Sequence, residues 1–223
     1  EKLDAFSDMV IDGHAPGMKG KELQAYRASG VMDEHECATV EEGLEKLRAG
    51  LKILVREGSG ARNVKTLMQG FTEAGVCLEN CMFCTDDKHL EDIEREGHID
   101  ACIRKAISAG TPVIKAYKMA SWYTANAYGL RHLGAVGAGY AADMVVLENL
   151  ESVKRDFVIK KGNVVTDKWL ETFTYVLKDE SLLHTVKIGD LNPKTLHLEK
   201  KEKNHVMELV PYQLLTHHLI EEV

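Results

Sequence analysis

Short apolar runs alternate with amphipathic helical segments through residues 8–120, and several of the runs stop on residues that bind metals. Met9-Val10-Ile11-Asp12-Gly13-His14 breaks at once on Pro16 and Gly17. The same layout recurs at Gly30-Val31-Met32-Asp33-Glu34-His35 and at Met82-Phe83-Cys84-Thr85-Asp86-Asp87. A chain of this texture predicts parallel strands joined by helices, with its chemistry gathered at the carboxyl ends of the strands.

The expected strands are 8–12, 30–32, 51–56 and 76–84. Helices are expected near 21–28, from Thr39 to Arg48, over 63–70, over 99–107 and over 112–120. Thr39-Val40-Glu41-Glu42 reads as a capping box, and Pro112 suits a first helical turn. Four strand–helix units make half of a (β/α)8 barrel, which needs eight units and typically ~250 residues. After Gly134 the texture changes to the short strands 142–147, 157–160 and 163–165, a small antiparallel β domain. The expected organisation is therefore α/β, a half barrel over 1–125, a small β domain over 126–170, and a mixed segment over 171–223.

Composition narrows the function. A net charge of -7 without a concentrated basic patch argues against nucleic acid. No apolar run is long enough to span a bilayer. Five cysteines, an odd number in mostly apolar surroundings, read as reduced thiols, so the chain is expected in the cytoplasm. Cys77-x3-Cys81-x2-Cys84 has the spacing of a radical S-adenosylmethionine cluster motif. Here, however, the cysteines alternate within an expected strand, where they cannot leave the sheet together. Cys81-x2-Cys84 also fails the zinc-deaminase pattern, because Asn80 stands where that pattern has Pro.

His14 and His35 lie one strand–helix unit apart, and Asp86 lies two units further on. Two imidazoles and a carboxylate at strand ends suit Zn, Mn or Fe(II). The carboxylate can also take the proton of an activated water.

The residues that carry a family likeness run in order along the chain. They are Ile11-Asp-Gly-His-Ala-Pro-Gly17, Gly20-Lys-Glu-Leu-Gln-Ala-Tyr26, Ser29-Gly30 with Asp33-Glu-His-Glu36, Arg56-Glu-Gly-Ser59, Thr85-Asp-Asp87 and Glu96-Gly-His-Ile-Asp100. Tyr128-Gly-Leu130, Gly134-Ala135 and Gly139-Tyr-Ala-Ala-Asp-Met-Val-Val-Leu147 continue it. Over about residues 8–168 the chain resembles the adenine deaminase family of the metal-dependent amidohydrolase superfamily.

That resemblance implies the second half of a TIM barrel, strands five to eight. His14 and His35 would be metal ligands on strands five and six, and Asp86 a ligand and proton carrier ending strand eight. Glu57, Ser59, Asp87 and His98 would face the substrate, with turn chemistry around Gly58 and Gly60 as the alternative for Glu57 and Ser59. Asp100 reads as a complement to a helix dipole. The implied cofactor is a divalent metal, Mn(II) or Fe(II), as a pair, with Zn(II) not distinguished. The implied reaction is hydrolysis of adenine to hypoxanthine and ammonia.

Departures from the family pattern are Glu34 for Asp, Gly60 for Ala, and Gly137-Ala138-Gly139 for Ala-Pro-Gly. No His-x-His occurs in the 223 residues. The chain therefore reads as an internal piece whose missing N-terminal half of the barrel must be supplied, and it is expected to be inactive alone. Unpaired sheet edges invite a homo-oligomer. Two alternatives stay open at this point: another amidohydrolase acting on cyclic amides, of hydantoinase or dihydroorotase type, and a non-catalytic half-barrel assembly module.

Overall fold

A computed structural model describes residues 2–222 except 175, 190, 198 and 200. The chain divides into two units by internal contacts, one comprising Glu1–Val164 with Pro211–Leu214, the other Val165–Val210 with Leu215–Val223.

In the first unit, helices α1 (Lys2–Ala5) and α2 (Gly20–Ala28) precede strand β1 (Asp33–Glu34). Helix α3 (Val40–Arg48), strand β2 (Lys52–Arg56), helix α4 (Val64–Glu73) and strand β3 (Cys81–Cys84) follow. The three strands form one parallel sheet in sequence order, with Asp33 beside Lys52 and Ile53 beside Cys81. The expected α/β alternation is therefore present as a partial, open sheet among the described residues.

Helices α5 (Leu90–Glu96), α6 (Ile99–Ser108), α7 (Val113–Ala120) and α8 (Trp122–Ala127) complete the helical layer. Ile53 and Val55 of β2 are fully buried against Leu67, Met68 and Phe71 of α4, Cys102 and Ala106 of α6, and Met119 of α7. Such burial is the main stabilising term for a sheet of this length. Thr39 caps α3 by accepting the Glu42 N–H at 3.2 Å. The capping box is only half made, because the Glu42 carboxylate turns to the Ala38 and Gly17 amides instead.

Three expectations need correction. Residues 8–12 are not a strand. Met32 N–H donates to the Ile11 carbonyl at 2.9 Å, while Met9 and Val10 lie exposed. One ladder bond does not make a strand. The second strand falls at Asp33–Glu34, two residues past its expected place, because that is where β2 offers partners. The fourth, expected over 76–84, is shortened to Cys81–Cys84, since Leu78–Asn80 turns as a 3-10 helix.

Strands β4 (Met144–Asn149), β5 (Lys154–Lys160) and β6 (Asn163–Val164) form an antiparallel meander, the small β sheet expected after Gly134. In the second unit, α9 (Asp167–Leu170) is capped by Thr166, and 3-10 turns occupy Glu180–His184 and Pro193–Leu196. Strands β7 (Asn204–Leu209) and β8 (Thr216–Glu221) pair as an antiparallel hairpin. Among the described residues no helix is long and apolar enough to cross a membrane.

Candidate metal centre

Strand β1 delivers His35 and Glu36 at the carboxyl edge of the sheet, and the loop after residue 12 brings His14 beside them. Gly13 makes that approach feasible. A Cβ there would sit 2.1 Å from the Asp33 carbonyl oxygen, so a larger residue would push the loop off β1. The Gly13 N–H donates to Asp33 Oδ1 at 3.1 Å, and the His14 N–H donates to the Tyr26 hydroxyl of α2 at 2.8 Å.

Beneath the loop lies a buried ion cluster that sequence reasoning missed. Lys46 Nζ, fully buried, donates to the Ala15 carbonyl at 2.7 Å, to Glu34 Oε2 at 2.8 Å and to Glu42 Oε1 at 2.7 Å. All three ammonium protons are thereby satisfied. Burial works against the charge on Glu34, but the Lys46 contacts outweigh it and hold its carboxyl below the usual range. Glu34, Cys37 and Glu42 also stand at ligand spacing, yet the lysine ammonium already serves as the cation there.

The His14 and His35 rings are 5.5 Å apart and tilted by 59°. Glu36 Oε1 lies 3.7 Å from His14 Nδ1 and 3.5 Å from His35 Nε2. One ligand atom from each of the three residues falls within 4.8 Å of the others. Those separations are those of converging ligands rather than of good hydrogen bonds. Two imidazoles and a carboxylate suit a borderline divalent ion, so the donor set fits the implied metal. Glu36 was not foreseen. The available signal was its place at the end of a strand, directly after a histidine.

Asp86 is not in that three-residue group. It follows β3 in the left-handed region (φ +53°), which Asp adopts more readily than most residues. Its Oδ2 accepts from Arg56 Nη1 at 2.7 Å, and the same nitrogen donates to Glu36 Oε1 at 2.5 Å. The Arg56 hydrogen bond, acting against burial, holds the Asp86 carboxyl below its ordinary value. Arg56 thus links the expected proton carrier to the centre. Asp33 behaves oppositely. Burial and then the nearby Asp12 carboxyl push it up to about 7, against the Gly13 N–H and the Tyr128 hydroxyl, which donates to it at 3.0 Å.

The remaining expected residues lie on the loops after β2 and β3. Both Glu57 oxygens are engaged, one by Lys105 of α6 at 2.6 Å and the other by the Val64 N–H that opens α4 at 3.2 Å. Ser59 accepts the His89 N–H at 2.9 Å and donates to Asp92. These partners favour the turn-forming alternative for both residues. The Asp87 carbonyl accepts the Ser59 N–H at 2.8 Å. Gly58 permits this, since a Cβ there would meet the Thr85 and Asp87 carbonyl oxygens at 2.7 and 2.8 Å. His98 Nε2 lies 3.1 Å from Thr85 Oγ1, beside Asp86 in sequence. Asp100 accepts the His98 N–H at 2.7 Å and pairs with Arg104, as a helix-start residue should. Cys77, Cys81 and Cys84 do not form a metal-ligand group among the described residues, and burial pushes the Cys81 thiol up to about 12.

Residues 2–190 match the amidohydrolase family. The chain belongs to the amidohydrolase family. This amidohydrolase chain is 40% identical over 220 residues to an adenine deaminase of Desulfitobacterium hafniense, covering 98% of the chain and 38% of that protein. It is 46% identical over 166 residues to an adenine deaminase of Sinorhizobium fredii, covering 74% of the chain and 29% of that protein. The chain thus spans well under half the length of these curated relatives. A solved N-acetyl-D-glucosamine-6-phosphate deacetylase from Mycobacterium smegmatis superposes with a TM-score of 0.57 at 18% identity, covering 74% of the chain and 51% of that structure. That likeness concerns the fold alone.

Proposed function

We propose that the protein to which this amidohydrolase chain contributes is an adenine deaminase, hydrolysing adenine to hypoxanthine and ammonia. The observation that carries this reading is the convergence of His14, His35 and Glu36 at the carboxyl edge of the sheet. It occurs in a chain 40% identical over nearly its whole length to an adenine deaminase. In this reading β1 to β3, with residues 8–12 ahead of them, are strands five to eight of a (β/α)8 barrel. Residues 126–170 then form a small β domain, and 171–223 lead into the C-terminal region.

His14 and His35 hold a divalent ion, Mn(II) or Fe(II), with Zn(II) as the alternative, and Glu36 is positioned to join them. Such an ion, singly or as one of a pair, supplies Lewis-acid activation of water at neutral pH. Asp86 accepts the water proton as the oxygen bonds to purine C6, then passes it to the exocyclic nitrogen as the C6–N6 bond breaks. Arg56 keeps Asp86 ionised and therefore able to accept. Asp87 and His98 face the purine. Glu57 and Ser59 fix the loop after β2, next to it.

The test is Asp86→Asn in the full-length protein, with metal content measured alongside turnover. Adenine turnover should fall by about 10²–10⁴-fold while the fold and at least one bound metal are retained. Unchanged adenine turnover, or hydrolysis of cyclic amides in place of adenine, would overturn the proposal.

A further inference from the structure

The β7–β8 hairpin carries a second pair of histidines, remote in sequence from the first and unused by the proposed reaction. His205 lies opposite Ile220, and Met207 lies opposite His218. His205 and His218 are therefore diagonal neighbours on one face, a spacing that long side chains bridge. Every residue of that face (His205, Met207, Leu209, Thr216, His218 and Ile220) is exposed. None of them is a lysine or arginine that would repel a cation.

His205 Nδ1 stands 2.7 Å from His218 Nε2. The ring planes differ by 15° and the centroids are 4.9 Å apart. The gap between those two distances is about two ring radii, so the nitrogens lie between the centroids and the rings meet edge to edge. One nitrogen must carry the shared proton and the other must offer its lone pair. With that proton on the far nitrogen of its ring, two in-plane lone pairs face each other across one gap on an exposed face.

We propose that this hairpin is a binding site for a borderline divalent transition metal, Cu(II), Ni(II) or Zn(II), held by His205 Nδ1 and His218 Nε2. The bridging N–H bond breaks and that ring carries its proton on the other nitrogen instead, so both imidazoles stay neutral, two nitrogen–metal bonds form, and water fills the remaining positions. Imidazole bonds of ~2.0–2.1 Å require both rings to turn and the nitrogens to part from 2.7 Å to about 3 Å or a little more, which two exposed side chains allow. The Irving–Williams order makes Cu(II) and Ni(II) the tightest binders and Mn(II) the weakest, so excess Mn(II) leaves the site free. His217 is not a ligand, because its Nδ1 contacts Glu208 Oε2 at 2.7 Å on the opposite face.

Equilibrium dialysis against Ni(II), with excess Mn(II) present, tests the site in the chain and in His205→Gln, His218→Gln and His217→Gln. Wild type and His217→Gln should each bind one more equivalent than either of the other two variants. Equal uptake by wild type, His205→Gln and His218→Gln would overturn the site. So would equal losses in all three variants. Cross-strand amide signals of β7 and β8 in each variant verify that the hairpin persists.

Discussion

The molecule holds two histidine pairs built in opposite ways. His14 comes from the loop before α2 and His35 from the end of β1, and their rings are tilted by 59° with their nitrogens meeting on Glu36. Their placement depends on a buried lysine, two buried carboxylates, a tyrosine hydroxyl and a glycine that lets two backbones touch. His205 and His218 come from one hairpin, lie within 15° of parallel, and need nothing beyond strand register. A site assembled from distant segments needs a scaffold to hold each of its members. A site on one hairpin inherits its geometry from local pairing. The first can be broken from far away, the second only from within.

The largest expected effect follows from that dependence. Lys46→Met leaves Glu34 buried without its cation and should destabilise the first unit by about 3–5 kcal/mol. The urea midpoint reports this, and the His14 and His35 ring signals should move while those of His205 and His218 stay in place. Adding Glu34→Gln should recover part of the loss. An unchanged midpoint in Lys46→Met would dissolve the contrast between the pairs.

A smaller effect concerns acid stability at the loops flanking the centre. Burial opposes the charge of Glu96, but Arg62 and then Arg95 overcome it and bring its carboxyl from 4.5 down to about 2. A lowered carboxyl stabilises the fold above its unfolded value, and that contribution fades as the pH falls. Wild type should therefore be more stable than Glu96→Gln above pH 4.5, with the difference shrinking as pH drops through about 2. Thermal unfolding at stepped pH measures it, and a gap that stays constant across that range would contradict the assignment.

The smallest effect belongs to the hairpin. Glu208 and His217 are both exposed, so Glu208→Gln should shift stability by no more than about 0.5 kcal/mol in chemical denaturation. A larger cost would mean that the hairpin, too, depends on side-chain support.

The closeness of His14 and His35 was legible because each ends a short apolar run, one helical segment apart. The same pattern overstated residues 8–12, since an apolar run promises a strand but does not supply the neighbour it must bond to. Lys46 was invisible for a different reason. A lysine between Leu44 and Leu47 on an amphipathic helix reads as solvent-facing, and its partners Glu34 and Ala15 are distant in sequence. Helix α5, Leu90–Glu96, escaped notice because its run of acidic residues shows no apolar stripe. Arg56 stood in plain view within Arg56-Glu57-Gly58-Ser59, but its double contact with Glu36 and Asp86 exists only once three strand ends are side by side.

The Tyr128 hydroxyl reaches back across 95 positions of sequence to the carboxyl of Asp33, at the foot of the strand that carries His35. On a ribosome this contact sets a schedule. The strand bearing His35 waits for its last fastening until the polypeptide beyond α8 has left the exit tunnel, which at ~5–20 residues per second is several seconds after the histidine itself emerges. Until then a nascent chain presents His14 and His35 on an unfinished frame.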